Sequence, residues 1–227
     1  RSYNHQNGQT YAYVVTEGPE FKEHPGGIQI FKLGPNGVEL ANTYLGNFNS
    51  AHTIFIDPLA GLAFVNGSNW KGDVPERHQD HKDHLGGFRI LDIQTDPENP
   101  RDLGAYSASY THDSYALGMV DIPPQPSHHH APDQSAETQP NRRGYIVYLA
   151  DIVKGQIHAL NISDPANPKL EDSVYAPLHN QFPSMHNVWA SEDKKWLFAT
   201  EETAGSSLLV YDISNPIQPR FVSAYRS

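Results

Sequence analysis

The sequence predicts an all-β fold, a β-propeller built from four-stranded antiparallel blades. Three observations carry this. Apolar residues alternate with period 2 in short runs, as in half-buried strands. Gly, Pro, Asn and Asp bound those runs, and no segment shows the 3.6-residue stripe of an amphipathic helix. A motif also recurs: "GGFRILDIQTDPENP" (86–100), "GQIHALNISDPANP" (155–168) and "SSLLVYDISNPIQP" (206–219), with "GGIQIFKLGPNG" (26–37) as a degenerate copy. Repetition at this spacing is the mark of stacked supersecondary units.

The elements follow in order. The motif supplies the third strand of each unit. Upstream of three copies lies a strand–turn–strand pair: 52–57 with 62–67, 112–120 with 144–151, and 186–191 with 196–202. Downstream lies one more strand: 38–45, 101–108, 169–176 and 219–225. Strand, hairpin, strand, strand is one propeller blade. In the first unit "TYAYVV" (10–15) reads as the second strand, and the innermost strand reads as missing. The expectation is one propeller domain over 1–227, with blades near 1–48, 49–108, 109–178 and 179–227. The missing strand predicts that this segment belongs to a larger propeller. The start at Arg1, without methionine or an apolar leader, reads as a processed chain or a fragment.

Composition excludes several classes. The 227 residues carry 26 acidic and 16 basic side chains, for a formal charge of −10. Nucleic acid as a main partner needs a basic stripe, and anionic lipid surfaces need basic clusters. No stretch is long and apolar enough to span a membrane as a helix. Cysteine is absent, so disulfides, thiolate metal sites and thiol nucleophiles are excluded. Two sequons, at Asn66 and Asn161, point towards a secreted glycoprotein. The anomaly is 13 histidines.

"GGFRILDI" and "SSLLVYDISNP" resemble the LVIVD repeat. The order "AHTIFID", "GG", "ILDI", "YTHD" and "MHNVW" resembles the secreted, surface-attached β-propeller proteins of the choice-of-anchor B family. The likeness runs from about residue 10 onward. It implies a propeller exported to the cell surface or beyond, and it implies no particular activity. Two loops, 71–84 and 121–143, depart from the family pattern.

The hairpins hold the candidate site. "HTIFIDPLAGLAFVNGS" and "HNVWASEDKKWLFATEE" align from their histidines without a gap. With a turn at 192–195, His186 faces Glu201 and His52 faces Gly67. The third hairpin begins at His112 and ends at Asp151, and alignment of the first unit offers Glu17. Innermost strands of a propeller converge on one mouth. The expected metal ligands are therefore His52, His112, His186, Glu201, Asp151 and Glu17. Asp113 and Glu202 are expected to support them by holding a ring N–H or a bound water. Imidazoles with carboxylates suit Zn, Mn, Fe or Cu, and carboxylates alone lean towards Ca.

"PERHQDHKDH" sets His78, His81 and His84 at intervals of three, as a lid over the channel or a secondary metal site. The loop "SHHHAPDQSAETQPNRRG" reads as a solvated excursion. No nucleophile elbow, phosphate loop, dinucleotide turn or HExxH motif is present.

The functional expectation is an extracellular or cell-surface propeller with a divalent metal at the channel mouth, in a binding or structural role. One alternative is a metal-dependent hydrolase or oxidoreductase with Glu201 or Glu202 as general base. Another is a surface scaffold for a protein partner or self-assembly, without a metal.

Overall fold

A computed structural model describes residues 1–17, 26–69, 86–124, 142–175, 184–203 and 205–226. The described chain is all-β, with sixteen strands in four antiparallel sheets of four. The first sheet holds β1 (Ser2–Asn4), β2 (Thr10–Val15), β3 (Ile28–Gly34) and β4 (Gly37–Tyr44). The second holds β5 (Thr53–Asp57), β6 (Leu62–Ser68), β7 (Gly87–Asp92) and β8 (Arg101–Tyr106). The third holds β9 (Thr111–Ile122), β10 (Arg142–Asp151), β11 (Gln156–Asn161) and β12 (Lys169–Tyr175). The fourth holds β13 (Met185–Ala190), β14 (Trp196–Glu201), β15 (Ser207–Asp212) and β16 (Arg220–Arg226). Every sheet is a meander whose strands pair in sequence order.

The first sheet corrects one expectation. Its innermost strand exists: Ser2, Tyr3 and Asn4 pair with Ala12, Tyr11 and Thr10. Three residues are too few for an alternating pattern to be read along the chain, and only the pairing with β2 makes them a strand.

Alternation decides which face of each sheet is covered. Tyr11, Tyr13, Ile28 and Ile30 turn from the first sheet towards Ile54, Ile56, Ala63 and Val65 of the second. Phe64, Phe88 and Ile90 meet Tyr145, Val147 and Leu149 of the third. Ile146, Tyr148, Ile157 and Ala159 meet Val188, Leu197, Leu209 and Tyr211 of the fourth. Burial of side chains this size stabilises by about 1.5–3 kcal/mol each before conformational entropy is subtracted.

The turns after the third strands are built by their own polar residues. Asp92, Asn161 and Asp212 each accept a backbone N–H two residues on, the Asx turn that Asp and Asn favour. The same turns dock on the preceding sheet. Tyr13 donates to the Pro97 carbonyl and Tyr148 to that of Pro216, both at 2.8 Å.

The first strands of the sheets meet. Phe55 of β5, Tyr115 of β9 and Trp189 of β13 sit at equivalent positions and form one aromatic layer, with ring centroids 4.8–6.2 Å apart. The Arg1 guanidinium lies 5.9 Å from the Trp189 ring. Three residues before each aromatic comes His52, His112 or His186.

Candidate metal centre

The three histidines form a row. The His52 and His112 ring centroids are 4.0 Å apart, and those of His112 and His186 are 4.2 Å apart. Backbone irregularity brings them there. In β13–β14, Met185 pairs with Glu201 and Asn187 with Thr200, so His186 falls into a β-bulge. In β9–β10, Thr111 pairs with Asp151 and Asp113 with Ala150, so His112 falls into the equivalent bulge. A bulged residue leaves the strict in–out alternation, and bulges commonly re-aim side chains at sites. His52 lies just before β5, where its backbone N–H donates to Asn66.

The carboxylates follow from the same slip. A one-residue shift moves a side chain to the other face of its sheet. The expectation that Glu201 faces His186 is therefore corrected. Glu201 shares its face with Leu197 and Ala199 and is buried, whereas Glu202 reaches the imidazoles. One ligand atom each of His112, His186 and Glu202 lies within 4.8 Å of the other two. The Glu202 backbone N–H is pinned by the Ser184 carbonyl and hydroxyl, both at 3.1 Å.

The ring nitrogens have assigned roles. His112 Nδ1 lies 2.9 Å from the His186 carbonyl oxygen. A carbonyl only accepts, so Nδ1 carries the proton and Nε2 keeps its lone pair for a ligand. His52 Nδ1 lies 2.8 Å from Glu17 Oε2. Glu17 therefore grips the back of His52, as carboxylates grip metal-binding imidazoles. Burial, and then the neighbouring His52 and His186, push the His112 pKa down to about 4. His112 is thus neutral, and able to bind a metal, down to mildly acidic pH.

Asp151 is placed elsewhere. Its Oδ1 accepts the backbone N–H groups of Val153 and Lys154, and its Oδ2 lies 3.2 Å from His158 Nε2. It closes the β10–β11 turn and faces the second sheet, away from the histidine row. Asp113 accepts from the Asn187 side-chain amide at 3.1 Å, and burial raises its pKa. Among the described residues its side-chain partner is Asn187 and not an imidazole. The missing acid at Gly67 has a steric cause: φ is +63° there, and a Cβ would lie 2.7 Å from His52 Cβ. A side chain at 67 would displace the histidine.

Asn66 is fully buried, with its amide on the Thr53 hydroxyl, so the folded chain has no acceptor there for a glycan. The Asn161 amide is engaged with Ser163 and Glu171. His78, His81 and His84 lie outside the described residues. Along the sequence, Glu202 could have been found from the alternation Leu197, Ala199, Glu201, which already places Glu201 on the apolar face.

No family model matches the chain, and no curated protein does. Solved structures do. A crystal structure of a protein from Lactobacillus plantarum aligns with TM-score 0.62 at 15% identity, over 96% of this chain and 53% of its own. A hypothetical selenium-binding protein from Sulfolobus tokodaii aligns with TM-score 0.54 at 14% identity, over 96% of this chain and 48% of its own. A putative 6-phosphogluconolactonase from Bacteroides fragilis aligns with TM-score 0.47 at 10% identity, over the whole of this chain and 71% of its own. The chain spans about half the length of the first two. For those two, identities this low speak for the fold alone.

Proposed function

We propose that the four sheets are blades of a β-propeller that binds a divalent metal ion where its first strands begin. The observation that carries this is the convergence of His112, His186 and Glu202, from two sheets and three strand ends, within 4.8 Å of one another. Two imidazoles and one carboxylate suit Zn or another first-row transition ion better than Ca, which takes six to eight oxygens. His52, held by Glu17, stands next in the row as a further nitrogen donor. Three ligands from two sheets would also clamp those sheets together, since an ion that binds only the folded chain stabilises it. The repeat motifs and their likeness to surface-attached propellers support an extracellular or cell-surface setting.

The test is elemental analysis of protein purified without chelators or affinity metals. One equivalent of a transition metal in the wild type, lost in His186→Ala and Glu202→Gln, is expected. Metal-free wild type that takes up no Zn, Mn, Fe or Cu on titration overturns the reading.

A further inference from the structure

The opposite end of the first strands holds a second feature. A cavity of about 520 Å³ opens between the second and third sheets. That volume falls in the range of small-molecule sites. Its walls are Phe55, Leu59, Tyr115, Leu117, Met119 and Tyr145. Leu59 is 95% exposed and Met119 47% exposed, so the rim presents apolar surface to solvent.

Two charged groups line this cavity, Asp57 and Lys194, and they differ in how fully their hydrogen bonds are made among the described residues. Asp57 Oδ1 accepts the backbone N–H groups of Leu59 and Ala60, and its Oδ2 accepts from the Tyr145 hydroxyl. Both of its oxygens are thereby engaged, one on the β5–β6 turn and one on the third sheet. Lys194 reaches in from the β13–β14 turn and donates one hydrogen bond, at 2.7 Å, to the Leu117 carbonyl. An ammonium has three donors, so two remain to be directed into the cavity. That carbonyl is available because Leu117 sits in a second β9 bulge, between the pairs Val147–Ala116 and Ile146–Gly118.

Lys194 is also the one non-glycine residue with positive φ, at 56°, among the described residues. A lysine in the left-handed region costs stability that glycine or asparagine would not. Strain of this kind concentrates at functional positions. An apolar, aromatic-walled cavity and a strained cation aimed into it are independent observations, and they point to one ligand chemistry. We propose that this cavity binds a small organic anion with a flat apolar body. The body lies against Phe55, Tyr115 and Leu117, and the negative group sits on the Lys194 ammonium. The site stands apart from the histidine row and does not depend on a metal there.

The probe is 8-anilino-1-naphthalenesulfonate, a flat apolar monoanion, with neutral N-phenyl-1-naphthylamine as its uncharged counterpart. Saturable binding of the anion at one site is expected from fluorescence titration. Lys194→Gly removes the ammonium and fits the left-handed turn, which offsets the lost bond to the Leu117 carbonyl, so the protein is expected to fold. It is expected to weaken the sulfonate about tenfold, the scale of one hydrogen bond to a charged group, and to leave the neutral dye unchanged. Ala116→Trp fills the cavity and is expected to abolish both. His112→Ala is expected to change neither. Non-saturable binding, or binding indifferent to both Lys194→Gly and Ala116→Trp, overturns the site. Equal weakening of both dyes by Lys194→Gly overturns the assignment of an anion.

Discussion

Asp151 and Glu201 occupy the same place in neighbouring sheets, and they behave as opposites. Each ends the second strand, pairs with the first residue of the innermost strand, and faces the preceding sheet. Asp151 has three donors: two turn amides and His158, which in turn meets the Ser173 hydroxyl at 2.7 Å. Glu201 is also buried, yet among the described residues neither of its carboxylate oxygens has a hydrogen-bond partner. The residue equivalent to His158 is Leu209, which is apolar and buried. A repeat therefore copies backbone position without copying chemistry. In the third sheet the acid completes a structural network, while in the fourth the neighbouring Glu202 takes the role at the histidines and Glu201 is left uncompensated.

The contrast is open to measurement. Asp151→Ala strips two turn amides and His158 of their acceptor. It should cost about 3 kcal/mol in urea unfolding, the range for breaking a buried polar network. A cost under about 1 kcal/mol would remove the structural half of the comparison. Acid should expose a related asymmetry in the metal-free protein. His112 is held at about 4 when folded and returns to about 6.5 when unfolded. Between those values the unfolded chain binds more protons, so stability falls as pH drops from 6.5 towards 4, by up to about 3 kcal/mol. Above 6.5 this group contributes no pH dependence. His112→Asn should flatten that part of the stability profile, and an unchanged slope would show that another group is responsible. His52, His186 and Glu202 are the titratable neighbours that shape the same window.

Glu201→Met should have the opposite sign from Asp151→Ala. Removing an unpartnered buried carboxylate is expected to stabilise by about 1–2 kcal/mol. Destabilisation instead would mean that Glu201 holds a water or cation in solution and belongs to the functional end of the comparison. The smallest effect on folding falls at Glu202. Glu202→Gln should shift metal-free stability by less than about 0.5 kcal/mol while abolishing metal content, which would separate the ligand from its buried neighbour by two independent readouts.

Much of this was legible along the chain. The strands of the second, third and fourth sheets follow from alternation and turn residues, because both signals lie within a few consecutive positions. The three histidines were legible because the repeat sets them at one place in three units. Alignment of "YAYVVTE" with "WLFATEE" offered Glu17 as a metal ligand, whereas the structure places it on His52 Nδ1. The choice between Glu201 and Glu202 was not legible from hairpin length, since equal loops imply equal registers only where no bulge intervenes. Met185 and Val188, both buried and three residues apart, are the trace that the bulge leaves. Along the chain, residues 192–195 read only as the turn of a hairpin. Only the fold shows Lys194 reaching Leu117 in another sheet.

The amino-acid sequence by itself determined the class of structure: all-β, in four repeated units, with histidines at one repeated position and no thiol chemistry. Those properties rest on local periodicity and composition, which do not depend on what lies across the sheet. The tertiary structure alone decided which acid meets the histidines, why position 67 must be glycine, that the first sheet has its innermost strand, and that a cavity opens at the far end. Each of these depends on a pairing register or a contact between residues distant in the chain. In a strand the faces alternate with every residue, so one extra residue in a ladder is enough to exchange a side chain at the histidines for one in the core.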